Sequence, residues 1–381
     1  MRVTFLNKYY WPPHLGGVEH HLSMLATGLA ARPGTSAEAI VANEGKATLR
    51  ERIDGVDVLR VGRSFAYAST PVAPGMPAAI RAAAAVEKPD VFHLMFPYPW
   101  GEASWLVAGS PGPAVLTYHS DIVRQRFLGA AYRPILRRVL ERVDRIIVGS
   151  QPMIEGSDVL APFADKCRVV PFAVETERFE ATPATVARAG KLRAMHSRPV
   201  VLFVGRLIYY KGADVLMRAM ADVEADLVMI GDGPLEGELR ALAASLGIAD
   251  RVTLLAPVDD AELAAWYRAA AVFCLPSVAR SEAYGLVQLE AHASGTPVVS
   301  TDLPTGVPWV NRDGETGLVV PPGDAASLAA ALRRLLADEV LRARMGAHAR
   351  ERALATFGVS AMVDGTLAVY DEILEEGGRP T

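Results

Sequence analysis

The chain reads as an α/β protein built from two doubly wound, Rossmann-like domains. Three observations predict this. Short apolar runs alternate with amphipathic helical stretches along the whole sequence, the pattern of parallel strands covered by helices on both faces. A polar stretch around 175–198, with Thr182, Pro183 and the charges from Arg188 to Arg198, interrupts that alternation near the middle. The 381 residues exceed what one ordinary core holds.

In the first half, strands are expected at 3–7, 37–42, 56–61, 91–94, 114–118 and 145–149, with a last short run at 167–173. Helices are expected at 19–31, 76–86, 101–108, 134–142 and 152–161. The second half predicts strands at 200–204, 227–230, 252–255, 272–275 and 298–300. Its helices fall at 214–221, 234–246, 260–269, 286–294 and 325–337. Asp324 suits the N-cap of the last of these, and the tail from 339 to 374 is helical by pattern. The domain boundaries that follow are 1–180 for the first domain, 181–198 for a linker and 199–356 for the second domain. A C-terminal helix at 357–381 is expected to pack back toward the first.

Composition narrows the function. Hydrophobic residues make up 51% and charged residues 22% of the chain, so two packed, soluble cores are expected. A net charge of −4 gives no reason to expect nucleic-acid binding. The two cysteines, Cys167 and Cys274, sit in apolar surroundings without metal-ligand spacing, which predicts buried free thiols and fits a reducing cytoplasm. The N-terminus lacks the pattern of a signal peptide, and no apolar run reaches the roughly 18 residues of a membrane span. No metal site is predicted.

The chemistry-bearing residues cluster after strands. Ser281–Glu290 reads SEAYGLVQLE and sets Glu282 and Glu290 with seven residues between them, one just past an apolar run and one inside the next helix. Ligands of open α/β sheets bind outside the carboxyl ends of strands, so two acids there suit hydroxyl-rich ligands such as a sugar and a ribose. The plain alternative is a pair of solvated helix glutamates. The segment VLFVGRLIYYKG at 201–212 ends a strand at Gly205 and continues with Arg206 and Lys211. Two cations there can neutralise a diphosphate and stabilise it as it leaves; two solvated surface charges is the plain alternative. A second glycine-rich turn, GDGP at 231–234, places Pro234 at a first helical position. In the first half, Gly16-Gly17 opens a helix whose free N–H groups suit an anion, or else forms an ordinary tight turn. His20 and His21 read as surface or packing residues. His119 directly follows a strand, where it can orient a substrate hydroxyl or serve the fold. Asp121 and Arg124 are weaker acceptor-side candidates.

Together these segments resemble the retaining family 4 glycosyltransferases of GT-B fold. The resemblance is carried by VGRLIYYKG at 204–212, GDGP at 231–234, the Glu282/Glu290 pair, GTPVVST at 295–301 and GETGLVVPPGD at 314–324. In the first half it rests on GGVEHHL at 16–22 and YHSD at 118–121. The stretch VVPFAVETERF at 169–179 looks like the family's interdomain run, with Phe172-Ala173 where Asn-Gly is usual. The resemblance implies two Rossmann-like domains facing each other across a cleft that holds a nucleotide-sugar donor. It implies that Glu282 meets hydroxyls of the donor sugar and Glu290 the ribose. Arg206 and Lys211, on the loop opened by Gly205, then hold the diphosphate. His119 lies near the transferred sugar and Gly16-Gly17 lines the phosphate and acceptor side. The run Ala283, Tyr284, Gly285, Leu286 and Val287 completes the donor site, with the backbone N–H groups near 285–287 facing the diphosphate. Transfer proceeds with retention and without cofactor or metal, the cations and helix terminus standing in for a divalent ion. No separate carboxylate nucleophile is evident, which favours front-face transfer over a covalent intermediate.

HSDIVRQ, SEAYGLVQLEA and TGVPWVN look similar to bacterial mannosyl- and rhamnosyltransferases of polysaccharide assembly, which makes GDP-mannose the leading donor and a UDP-sugar the alternative. The segment 124–145 interleaves seven arginines with apolar residues. It reads either as a helix lying on an anionic inner-membrane surface, where a lipid-linked acceptor would reside, or as an ordinary amphipathic helix. Nucleotide-sugar epimerases share the architecture and would carry extra acid/base carboxylates. A non-enzymatic binding protein would have lost Arg206, Lys211, Glu282 or Glu290. A dinucleotide-dependent dehydrogenase is disfavoured because no GxGxxG follows the first strand.

Overall fold

A computed structural model describes residues 1–12, 16–67, 70–121 and 126–377, with the backbone alone for 126–131. The chain forms two compact units, Met1–Ala173 with Val359–Thr381, and Val174–Gly358.

Among the described residues the first unit holds ten strands: β1 (Arg2–Leu6), β2 (Ser36–Ala42), β3 (Leu49–Ile53), β4 (Val56–Val61), β5 (Phe65–Tyr67), β6 (Thr70–Val72), β7 (Val91–Phe96), β8 (Ala114–Tyr118), β9 (Arg145–Val148) and β10 (Cys167–Val169). Eight form one sheet in the order β10-β9-β8-β7-β1-β2-β4-β3, and β5 pairs with β6 apart from it. The eight-stranded sheet is parallel except where β3 runs against β4. The helices are α1 (Gly17–Ala30), α2 (Met76–Ala82), α3 (Pro99–Val107), α4 (Arg126–Arg142) and α5 (Gln151–Glu155). β7 and β8 are apolar along most of their length because both faces of the sheet are covered, and every residue in them is buried. Strand order reverses between β1 and β7, so the loops after those strands flank the crevice where such sheets bind ligands.

The second unit is a six-stranded, wholly parallel sheet of β11 (Val200–Val204), β12 (Asp226–Ile230), β13 (Val252–Leu255), β14 (Val272–Leu275), β15 (Val298–Thr301) and β16 (Gly317–Val320). Its order, β13-β12-β11-β14-β15-β16, is the Rossmann order with the switch between β11 and β14. Helices α6 (Pro183–Ala194), α7 (Ala213–Met220), α8 (Glu236–Ser245), α9 (Asp260–Ala269), α10 (Leu286–Ala293), α11 (Val307–Val310), α12 (Ala325–Ala337) and α13 (Glu339–Thr356) accompany it. One core gathers Phe203, Leu216, Met217, Leu332 and Met345. The final helix, α14 (Val359–Gly377), belongs to the first unit, and its Tyr370 and Ile373 join the core formed by Phe5, Leu25 and Val115.

Several expectations need correction. The stretch at 181–198, read as a linker with room for a short helix, does carry a helix, α6, and it falls inside the second unit. Thr182 accepts from the Thr185 amide at 3.1 Å as its N-cap, Pro183 stands in its first turn, and Arg188 pairs with Glu262 of α9 at 2.6 Å. Only Ala189 and Leu192 are buried, so its apolar stripe is too thin to read. β3 was missed because LRERI is an exposed edge strand, its charges blunting the edge. β16 and the β5–β6 pair were missed as well. Helix α5 stops at Glu155, well short of 161. Pro234 precedes α8, which starts at Glu236. The tail is two helices broken at Phe357 and Gly358. Asp324 caps α12, accepting from the Ala326 and Ser327 amides at 3.0 Å each.

Candidate active site

In the second unit the predicted donor residues fall on two neighbouring loops, one after β11 and one after β14. Gly205 closes β11 and its amide donates to Ile230 at 2.9 Å. The chain then passes Arg206, which is exposed, and reaches Lys211 in a short 3-10 turn. Gly212 follows at φ +67°, where a Cβ would come within 2.0 Å of the Pro276 carbonyl oxygen. Only glycine lets these two loops approach so closely. The Val278 amide donates to Tyr210 at 2.8 Å across the same contact.

That approach sets the Lys211 ammonium 2.6 Å from Glu282, with both side chains about nine-tenths enclosed. The Ser277 hydroxyl donates to the same Glu282 oxygen at 2.9 Å. Burial alone would lower the Lys211 pKa, but the charge and hydrogen bond of Glu282 outweigh it and hold the ammonium above the ordinary lysine value. Arg206 has no ion pair among the described residues and is left available to an anion.

Helix α10 starts just beyond. Gly285 is its N-cap at φ +72° with no side-chain cap, so the first amides, including those of Leu286 and Val287, lack intrahelical partners. Ala283 accepts from the Gly306 amide at 2.8 Å, and Tyr284 is buried against Trp309 with ring centroids 6.2 Å apart. One turn into α10, Glu290 accepts from the Tyr267 hydroxyl at 2.8 Å. Burial, foremost, pushes the Glu290 carboxyl up to about 7, against the hydrogen bond from Tyr267 and the charge of Arg178. An uncapped helix N-terminus, a free arginine and a paired lysine form a ready anion site, and the two carboxylates stand ready to accept from hydroxyls.

The first unit contributes a histidine cluster. His119 follows β8 directly and is buried. Its Nδ1 lies 2.9 Å from the Phe96 carbonyl oxygen, which can only accept, so Nδ1 carries the proton and Nε2 keeps a lone pair. Nε2 has no hydrogen-bond partner among the described residues. Burial lowers the His119 pKa to about 4, so the ring is neutral at physiological pH. The ring stacks on Phe172 at 5.1 Å and meets His21 edge-on at 4.9 Å. Gly16 and Gly17 are exposed at the start of α1, again without a side-chain cap. Asp121 is engaged within the unit, accepting from Tyr118 and Ser157 at 2.7 Å each. Arg124 lies outside the described residues.

Sequence reasoning missed Ser277 and Tyr267. Ser277 was findable as a polar residue just past a strand. Tyr267 lacks such a signal, because its partner comes from an element far away in sequence, and Phe172 stood out only as a departure from the family's usual pair, without its contact to His119. Leu136, Val139 and Leu140 of α4 are buried within the first unit, Ile135 is exposed, and the side chains of Phe127 and Leu128 lie outside the described residues. Arg133, Arg137, Arg138 and Arg142 remain exposed. Among the described residues no helix is long and apolar enough to cross a membrane, and no group of three or more His, Cys, Asp or Glu could hold a metal ion.

Two Rossmann-like units, with a phosphate-ready helix end at one switch point, define a glycosyltransferase of GT-B fold. Residues 15–178 match glycosyltransferase family 4 and residues 189–352 match the glycosyl transferases group 1. The chain is 31% identical to O-antigen chain mannosyltransferase C of Escherichia coli over 98% of its own length and 99% of that protein's. It is 38% identical to the D-rhamnosyltransferase WbpZ of Pseudomonas aeruginosa, covering 69% of this chain and 68% of that one. Its fold matches a sucrose-phosphate synthase from Thermosynechococcus elongatus with a TM-score of 0.81, at 24% identity, over 98% of this chain and 99% of the other. The chain belongs to the family 4 glycosyltransferases.

Proposed function

We propose that this protein transfers mannose from GDP-mannose, with retention and without a metal ion, to a hydroxyl of a glycan or lipid-linked acceptor in cell-surface glycan assembly. The observation that carries the reading is the Lys211–Glu282 pair, 2.6 Å apart on the two loops at the sheet's switch point, beside the uncapped start of α10. The kinship to a protein named O-antigen chain mannosyltransferase supports mannose and a glycan acceptor.

In this reading Arg206, Lys211 and the Leu286 and Val287 amides hold the diphosphate and take up the charge that builds on it as the glycosidic bond breaks. Fixed dipoles and cations at the leaving group are the largest contribution such a site can make. Glu282 accepts from sugar hydroxyls and Glu290 from the ribose. His119, neutral and with Nε2 unprotonated, accepts from a substrate hydroxyl. The acceptor hydroxyl attacks on the face the diphosphate leaves, which accounts for retention. The exposed arginines of α4 supply an electrostatic contact to an anionic inner-membrane surface.

Incubation with GDP-mannose and with UDP-glucose, each with a chelator and a lipid-linked glycan acceptor, tests the proposal. Release of GDP and an α-mannosyl product by NMR is expected. A β-linked product would refute retention, and consumption of UDP-glucose alone would replace the donor.

A further inference from the structure

The second unit carries a second basic cavity at the opposite end of its sheet. Its volume is about 700 Å³, within the range of small-molecule pockets. The lining includes Pro199 and Val200 at the start of β11, Ala271 before β14 and Pro297 before β15. It therefore lies at the amino ends of strands whose carboxyl ends carry Lys211 and Glu282. With strands of four or five residues, the separation is about 15 Å.

Four arginines line it, Arg193, Arg198, Arg268 and Arg342, against one carboxylate, Glu339. Arg198 is partly neutralised by Asp226 at 3.5 Å and Glu224 at 3.7 Å. The other three bind backbone carbonyls instead. Arg193 donates to Arg268 at 3.0 Å, Arg342 to Leu335 and Leu336 at 2.8 and 3.0 Å, and Arg268 to Phe179 at 3.1 Å. Among the described residues no carboxylate lies within ion-pair distance of these three. A guanidinium has five N–H donors, so each keeps donors to spare, and Arg268 Nε, itself buried, has no partner among the described residues. Burial first, and then the nearby charge of Arg350, lower the Arg268 pKa, as a positive field without counter-charge would. The Ser294 hydroxyl is buried, lines the same cavity and has no partner among the described residues.

Carbonyl contacts at helix ends account for one or two donors of each arginine. They do not account for several such arginines converging on one cavity with an unpartnered hydroxyl. We infer that this cavity is a second anion site, distinct from the donor site, that takes a small soluble compound bearing a phosphate or diphosphate group. Guanidinium forks match phosphate oxygens in pairs. Helix α10 runs from the donor loop at Gly285 to Ser294, so the two sites share one rigid element.

The test is calorimetric titration of the full chain with inorganic pyrophosphate, comparing wild type, Lys211→Ala and Ala343→Glu. Ala343 is an exposed residue of the lining on α13. A glutamate there adds a repelling charge without removing any of the carbonyl contacts. Wild type should bind two pyrophosphates, Lys211→Ala should keep the distal one, and Ala343→Glu should weaken that one about tenfold or more. Arg193→Gln with Arg342→Gln should do the same. A single event abolished by Lys211→Ala, or binding unchanged in Ala343→Glu, would overturn the inference. A single event abolished by Ala343→Glu but not by Lys211→Ala would uphold it while counting against the donor-site assignment.

Discussion

Lys211 and Glu282 neutralise each other 2.6 Å apart, so a donor bound as proposed exchanges their contact for its own phosphate and hydroxyls. Removing one member of an enclosed pair leaves an uncompensated charge, which costs about 3–5 kcal/mol. Lys211→Ala should therefore lose that much stability in urea and about 100-fold or more in turnover. Lys211→Met combined with Glu282→Gln should recover most of the stability and none of the turnover, which separates the two roles. Glu290 gives a pH signature. Its carboxyl is lifted from an ordinary 4.5 to about 7 in the fold, so the folded chain holds that proton more tightly than the unfolded one. The resulting stabilisation is full below the unfolded value and is lost as pH climbs through the folded one. Between about pH 5 and 8 wild type should lose roughly 1–3 kcal/mol relative to Glu290→Gln; equal slopes in urea unfolding would count against it. At this scale the sequence is informative where function sits directly after a strand, as with His119, Lys211 and Glu282. It is silent on Tyr267 and on the stacking of Phe172 against His119, because those contacts depend on which distant segments the sheet order brings together.

The loops and helix ends of the second unit rest on a few backbone positions. At Gly285 the left-handed φ of +72° comes with a crowded site, where a Cβ would fall 2.5 Å from Leu275 and 3.0 Å from Gln288. Gly285→Ala should cost at least about 1–2 kcal/mol from the backbone conformation alone and should displace the start of α10, lowering turnover. Gly237 is the control. It lies in α8 with open space around it, so Gly237→Ala should gain about 0.5–1 kcal/mol and leave turnover unchanged. Thermal unfolding and initial rates of both variants check the pair. Most elements were legible because parallel strands covered on both faces are apolar runs, as in β11 and β14. β3 and α6 hold few buried side chains, and their partners, β4 and α9, supply the order that their own patterns do not declare.

For the whole molecule, the first unit is discontinuous: α14 completes a core begun by residues at the other end of the chain. Met362, Val363, Val369, Tyr370 and Ile373 are buried, and Tyr370 lies 2.5 Å from His93 in the middle of β7. Glu372 pairs with Arg145 at 2.9 Å and with Arg168 at 2.5 Å. Five buried apolar side chains at about 1.5–3 kcal/mol each rival the entire stability of a typical domain, about 5–15 kcal/mol. Deleting Val359–Thr381 should unfold the first unit and spare the second, leaving a protease-resistant fragment close to Val174–Gly358. Survival of an intact first unit under limited proteolysis would contradict this. The tail was legible as a helix returning toward the first domain; which of its residues enter that core follows from tertiary contacts.

The most direct measurement is calorimetric titration of the purified protein with GDP, UDP, ADP and dTDP in the presence of a chelator, repeated on Lys211→Ala. GDP should bind in the micromolar range, at least about tenfold tighter than the others, and the variant should lose that binding. Tighter binding of UDP would keep the site and replace mannose as the donor sugar. Binding of none of the four, or binding unaffected by the loss of Lys211, would contradict the central claim that this switch point is the donor site.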